Sequence, residues 1–285
     1  MKYGVLYQTG KEILVKAGVT EAELNARLLL ETVCNTNRND LLVHADKEVG
    51  EEQQKKYLAW IRKRAEHIPL QYLTGMQEFM GLEFLVNENV LIPRQDTEIL
   101  VEEVLRNLHD GSRILDLCTG SGCILISLLN YSNDCQGVGV DISGEALSVA
   151  RENAAKLLAD KQDDTSILFL QGDLFENVDG YFDILVSNPP YIRTGDIPDL
   201  MKEVREHEPL LALDGSPDGL FFYRRILAGC GAHLKNGSAL YFEIGCDQGE
   251  DVKALMEETG FRNVAIARDF SGLDRVVYGS YEMRL

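Results

Sequence analysis

The sequence predicts an α/β protein in which a mostly parallel, seven-stranded sheet follows a small α-helical domain. Three observations lead there. From Arg113 onward, short and nearly continuous apolar runs alternate with helical patterns, as in parallel sheets covered on both faces. Before Leu73 the apolar residues recur at helical spacing. Glycines and acidic residues fall at the ends of the predicted strands, the edge at which such sheets bind ligands. The chain accordingly divides into a helical domain (residues 1–73), a hinge or β-hairpin linker (74–92) and an α/β domain (93–285).

In the helical part, Thr20 and Glu23 have the spacing of a capping box, with Ala22, Leu24, Leu28, Leu29 and Val33 as the apolar stripe. A second helix is expected over Glu51–Ala65, with Tyr57, Leu58 and Ile61 on one face and Trp60 in a packing role. Pro69 and Gly75 close this region. From Glu78 to Pro93, short strand-like runs around the turn-prone Asn87 and Asn89 suggest the hairpin or hinge. The sheet then begins with Ile114–Leu117, Gly137–Asp141, Ile167–Leu170 and Phe182–Val186. Ala239–Ile244 adds a fifth strand, and segments near Val264–Ile266 and Val276–Tyr278 close it.

Composition narrows the function. With 285 residues, 45% hydrophobic and 26% charged, the chain is long enough for a real core and has the balance of a globular protein. No run reaches the roughly eighteen apolar residues that suggest a membrane span. Met1–Gln8 lacks the pattern of a secretory leader, so a cytoplasmic location is expected. The six cysteines (Cys34, Cys118, Cys123, Cys135, Cys230 and Cys246) show no metal-ligand spacing and read as reduced thiols; no metal is expected. A formal net charge of −18 opposes binding to nucleic-acid phosphates and suits a basic protein partner.

The first sheet strand ends in Asp116-Leu117-Cys118-Thr119-Gly120-Ser121-Gly122, a turn that lets backbone approach a ligand closely. Asp141 ends the next strand, where a carboxylate can hold ribose hydroxyls. These two features fit either a dinucleotide or S-adenosyl-L-methionine. The incomplete glycine pattern weakens the dinucleotide, whose pyrophosphate needs a helix N-terminus. After the third strand, Asp173 can accept from an adenine amino group while Leu174 or Phe175 covers the ring.

The fourth strand runs into Asn188-Pro189-Pro190-Tyr191. The prolines stiffen the chain and remove backbone donors. The Asn188 side-chain oxygen and the Pro189 carbonyl are then free to accept from an NH2 group, and Tyr191 can lie on its flat face. An amide nitrogen is a poor nucleophile because its lone pair is delocalised. Two acceptors that orient it for in-line attack on a sulfonium methyl supply alignment and stabilise developing positive charge.

Over nearly its whole length the chain resembles the release-factor glutamine methyltransferases, also called protein-(glutamine-N5) methyltransferases. The resemblance includes Pro69–Gly75, Glu78-Phe79, Leu91–Glu98, Asp116–Gly122, Asp141, Asn188–Ile192, Leu211–Gly215 and Asp218–Leu220. It implies a Rossmann-like class I methyltransferase domain using S-adenosyl-L-methionine, with S-adenosyl-L-homocysteine as product. Cys118 to Gly122, Asp141, Leu174 and Asn188 would contact the cofactor, and Asn188 to Tyr191 would hold a glutamine amide. The implied acceptor is the Gly-Gly-Gln glutamine of class-I peptide chain release factors, so the protein would serve translation termination, with residues 1–73 helping to dock the factor. A monomer is expected. Two residues depart from the family pattern: Gln95 stands where proline is usual, and Cys118 where glycine is.

Two other functions compete. A DNA or RNA amino-group methyltransferase, acting on adenine N6 or guanine N2, would share the Asn-Pro-Pro-Tyr chemistry. It should carry a basic recognition region and reach an unstacked base, and no Lys/Arg-rich segment stands out. A sensor that only binds adenosylmethionine would have no use for the acceptor groups of Asn188 and Tyr191.

Overall fold

The computed structural model describes residues 1–161 and 165–282. Its first elements are α1 (Tyr3–Lys16), α2 (Ala22–Cys34), α3 (Arg38–Val43), α4 (Glu51–Ala65) and α5 (Leu70–Thr74), then strands β1 (Met76–Phe79) and β2 (Leu82–Leu85). Next come α6 (Gln95–Leu105), β3 (Arg113–Leu117), α7 (Cys123–Asn130), β4 (Gln136–Asp141), α8 (Gly144–Leu157), β5 (Ser166–Gln171) and β6 (Phe182–Ser187). The chain continues with α9 (Lys202–His207), α10 (Phe221–Cys230), β7 (Leu234–Glu243), α11 (Gly249–Thr259), β8 (Phe261–Arg268) and β9 (Asp274–Tyr281). It packs as two compact units: Met1–Met76 with Met201–His207, and Gln77–Leu200 with Glu208–Leu285.

The helical unit closes around Leu6, Leu14, Ala26, Leu29, Leu30, Tyr57 and Ile61, all fully buried. Helix α4 has the expected span, and half-buried Trp60 packs on this core with the Lys56 ammonium over its ring. The start of α2 differs from the sequence expectation. Thr20 and Glu23 make no capping box; Glu21, in a left-handed conformation, precedes the helix without a side-chain cap. Buried Asn25 organises this end instead, donating from Nδ2 to the carbonyls of Thr20 (3.2 Å) and Glu21 (3.0 Å), while Glu23 pairs with Lys11. Asn25 Oδ1 in turn accepts from Arg64 Nε at 2.7 Å, and Arg64 Nη2 reaches Glu203 at 2.5 Å. That ion pair anchors α9 within this unit.

Gly10 shows how tightly the helices fit. A Cβ there would overlap the Tyr57 hydroxyl, which donates to the Ala26 carbonyl. Ala ordinarily favours a helix interior over Gly by up to about 1 kcal/mol. Here Gly10→Ala is expected to destabilise the helical unit by about 2 kcal/mol through overpacking. Urea unfolding followed by circular dichroism measures it, and a stabilised variant would contradict this packing.

In the second unit the seven strands run in the order β5-β4-β3-β6-β7-β9-β8, parallel except for β9, which is antiparallel to both of its neighbours. Alternate residues of the central strands face opposite layers, as strand periodicity requires. Ile114, Ile184 and Val186 join α6, α7 and α8, whereas Leu115, Leu117 and Leu185 join α10 and α11. Among the described residues no helix is long and apolar enough to cross a membrane.

The hairpin β1–β2 turns at Met80-Gly81, both with positive φ (52° and 70°), and not at Asn87 or Asn89. Residue pairs of that conformation suit the twist of a two-residue hairpin. Met80 tolerates it because its N–H donates to Glu98 at 2.6 Å and its carbonyl accepts from the Tyr131 hydroxyl at 2.6 Å. Asn87 forms a local turn, its side chain accepting from the Asn89 N–H.

Candidate active site

Strand register gathers the expected residues on one edge. Leu117 pairs with both Val140 and Ser187, so Cys118, Asp141 and Asn188, the positions that follow or end these strands, lie side by side. Asp141 pairs with Gln171, which brings Gly172 and Asp173 alongside, and Ser187 pairs with Phe242, which sets Glu243 beside Asn188. β3 sits where the chain order reverses, between β4 and β6, the topological switch point at which open α/β sheets bind ligands.

A cavity of about 240 Å³ opens there. Its wall includes Cys118, Thr119, Gly120, Ser121, Asp141, Asp173, Leu174, Asn188 and Pro190. Gly122, Pro189 and Tyr191 lie outside the wall. Gly122 (φ 78°) caps α7, and a Cβ on it would press into Ile126. Val90, Leu91, Thr97, Leu211, Phe222 and Arg225 also line the cavity and were not singled out in the sequence as ligand contacts. They come from segments distant in the chain, and only Leu91, Thr97 and Leu211 lay within a recognisable motif.

Asp141 holds the glycine turn to the next helix. Its Oδ2 accepts from the Gly120 N–H (2.8 Å) and its Oδ1 from the Ser143 N–H (2.9 Å), while Ser143 caps α8 through the Ala146 N–H. Burial raises the Asp141 pKa. Below it, Thr119 donates to Asp116, a fully buried carboxyl whose pKa burial pushes up to about 7. Asn153, also buried, donates from Nδ2 to the carbonyls of Ser121 and Leu85 and accepts from the Leu85 N–H, tying the turn to β2.

Cys118 has φ +62°, a conformation natural to glycine and costly for other residues. The backbone at this point thus matches the glycine of the family pattern. Gln95 is the first residue of α6, where proline is tolerated because the N–H has no partner inside the helix. Exchanging proline for glutamine therefore leaves the helix start intact.

After β5, the Asp173 carboxylate receives both Nη atoms of Arg225 at 3.0 Å, so each oxygen keeps one lone pair for a ligand. Leu174 lines the cavity, but Phe175 does not. Its ring stacks on His233 (centroids 4.9 Å apart) and packs on Gly229, which leaves Leu174 as the apolar cover.

The Asn188–Tyr191 segment is clamped from the far side. Ile192 N–H donates to the Leu213 carbonyl and Gly215 N–H to the Ile192 carbonyl, at 3.0 and 2.8 Å. A Cβ on Gly215 would meet Tyr191 Cα at 2.7 Å, and one on Gly219 (φ 73°) would meet the Tyr191 oxygen at 2.5 Å. The two Asp-Gly pairs are thus explained by close backbone approach. Gln248 Nε2 completes the clamp by donating to the Tyr191 carbonyl at 3.0 Å. The Tyr191 hydroxyl donates to Glu243 Oε1 at 3.3 Å, and Asn188 Nδ2 reaches Thr97 Oγ1 at 3.5 Å. Burial pushes the Glu243 pKa up to about 7, opposed by a hydrogen bond from Thr97 and the charge of Arg275.

Comparison with known proteins agrees with this architecture. Residues 6–75 match the family described as PrmC N-terminal domain, and residues 94–208 the one described as Methyltransferase small domain. A solved methyltransferase from Pyrococcus furiosus, 15% identical, superposes with a TM-score of 0.52 over 82% of this chain and 100% of its own, a likeness of fold. The fold and these matches define a methyltransferase with a Rossmann-like sheet. The release factor glutamine methyltransferase of Geobacter sulfurreducens is 42% identical over 267 residues, which is 93% of this chain and 92% of that protein. That of Moorella thermoacetica is 45% identical over 267 residues, covering 92% of each. The chain belongs to the release factor glutamine methyltransferase family.

Proposed function

We propose that this protein transfers a methyl group from S-adenosyl-L-methionine to the side-chain amide nitrogen of the Gly-Gly-Gln glutamine in class-I peptide chain release factors, leaving S-adenosyl-L-homocysteine. The observation that carries the reading is the meeting of the Asn188 segment and the Asp141-bound glycine turn in one cavity. The cavity suits the cofactor. Each Asp141 oxygen keeps a lone pair for a ribose hydroxyl, and the space in front of Gly120 is open. Leu174 and Val90 offer apolar cover to an adenine ring, and Cys118 to Ser121 line the remainder.

Adenosylmethionine supplies an electrophilic methyl group. The chain's own residues do the rest. Asn188 Oδ1 and the Pro189 carbonyl accept from the two amide N–H groups, which turns the nitrogen lone pair toward the methyl. The same acceptors favour the positive charge that develops on nitrogen, so no base is needed before the methyl moves; sulfur keeps the electron pair of the broken S–CH3 bond, and the nitrogen then loses a proton to solvent. Tyr191, held by Glu243 and the glycine clamp, stiffens the segment that carries both acceptors.

The helical domain of residues 1–73, joined through the linker of 74–92 to the methyltransferase domain of 93–285, would dock the factor. The protein would act in the cytoplasm as a monomer and without direct contact to nucleic acid, a choice supported by the net charge of −18. The test mixes purified protein, methyl-labelled adenosylmethionine and a class-I release factor. Label should enter the factor and should be absent from a factor whose Gly-Gly-Gln glutamine is alanine. Equal labelling of the two would refute the acceptor.

A further inference from the structure

We infer that Thr97 and Glu243 are positioning residues that decide which way the Asn188 side-chain amide faces. The inference rests on the methyl-transfer reading and deepens it.

The two ends of an asparagine amide are nearly the same size but opposite in function. Only with Oδ1 toward the acceptor site can Asn188 receive a glutamine N–H; turned over, it would present a donor to a donor. Something must select one orientation. Thr97 Oγ1 lies 3.5 Å from Asn188 Nδ2 on a residue only 2% exposed. Its hydroxyl has a single hydrogen to give.

Glu243 takes that hydrogen. It is also 2% exposed, sits at the end of β7 beside the Asn188 strand and accepts from the Tyr191 hydroxyl, and the Thr97 hydroxyl opposes the rise of its pKa. Its Oε2 has no hydrogen-bond partner among the described residues. A proton on this carboxyl would reside on Oε2, and Oε1 stays an acceptor in either state. The order of donors is then fixed from one end: Thr97 donates to Glu243, its lone pairs face Asn188, Asn188 turns its NH2 toward them, and Oδ1 is left for the substrate. Contacts of this length shorten once a ligand fills a site.

Thr97→Val removes the hydroxyl at nearly constant volume, and Thr97→Ser keeps it. The Val variant is expected to bind adenosylmethionine within about twofold of the parent by calorimetry. In single-turnover transfer to release factor it should be slower by about ten- to hundredfold, the scale of a misplaced reacting group. The Ser variant should recover most of the rate, which a purely structural role for Thr97 would not produce. Glu243→Met, which removes the acceptor oxygen at similar size, should slow transfer in the same way and serves if Thr97→Val does not fold. Parental transfer in the Val or Met variant, or a Ser variant as slow as Val, overturns the positioning role. A parent protein inactive on release factor would instead strike the functional reading itself and this inference with it.

Discussion

Asn188→Ala should lower methyl transfer to release factor several hundred-fold or more while leaving the fold and most of the cofactor affinity in place. The scale is roughly 3–4 kcal/mol, that of removing one preorganised polar group at a reacting centre. The fold should survive because Asn188 is only half-buried and its side-chain bond to Thr97, at 3.5 Å, is long. The neighbouring clamp of Gly215, Gly219 and Gln248 holds the backbone through Tyr191 and Ile192 and needs nothing from the Asn188 side chain. Asn188→Asp keeps an acceptor oxygen beside the nitrogen and should fall between parent and Ala. Single-turnover transfer with saturating cofactor separates these effects from binding. Ala and parent proteins reacting at equal rates would remove Asn188 from the chemistry.

Asp141→Ala should weaken adenosylmethionine binding by about 2–4 kcal/mol. Hydrogen bonds to charged groups are worth about 1.5–3 kcal/mol each. The substitution also releases the Gly120 and Ser143 N–H groups, so the turn that shapes the cavity loses its anchor along with the ribose contact. Asp141→Asn retains one carbonyl acceptor and should lose less. Calorimetry reads both variants directly, and an Ala variant with parental affinity would refute the assignment.

The parts of this fold that the sequence made legible are those in which local pattern and tertiary environment agree. Ile114–Leu117 and Phe182–Val186 are apolar because both sheet faces are covered, and each run ends where a ligand-facing turn begins. The adjacency of Asp141 and Asn188 follows once those strands pair in parallel. Features decided by distant partners stayed hidden. The hairpin turns at Met80 because Glu98 and Tyr131 satisfy its backbone, and a methionine carries no turn signal of its own. The capping box at Thr20 gave way to Asn25, which Arg64 orients from another helix. Lys202–His207 has no apolar stripe, and the Glu203–Arg64 pair that anchors it spans much of the chain.

The site was legible to a similar degree. The glycine turn and the Asn-Pro-Pro-Tyr run announce themselves because their backbone demands specific residue types. Thr97 and Glu243 do not, since a threonine at a helix start and a glutamate at a strand end are ordinary residues until register sets them beside Asn188. Arg225 was equally silent, and its hold on Asp173 appears only when α10 is placed beside the end of β5.

The central claim concerns where the methyl group goes, and tandem mass spectrometry of the modified release factor answers it most directly. After reaction, the peptide carrying Gly-Gly-Gln should gain the mass of one methylene, with fragment ions placing it on the glutamine, and acid hydrolysis should release methylamine from the side-chain amide. The Asn188→Ala protein should leave that peptide almost unmodified in the same time. A methyl group on a lysine, an arginine or the peptide backbone, with the glutamine untouched, would contradict the account.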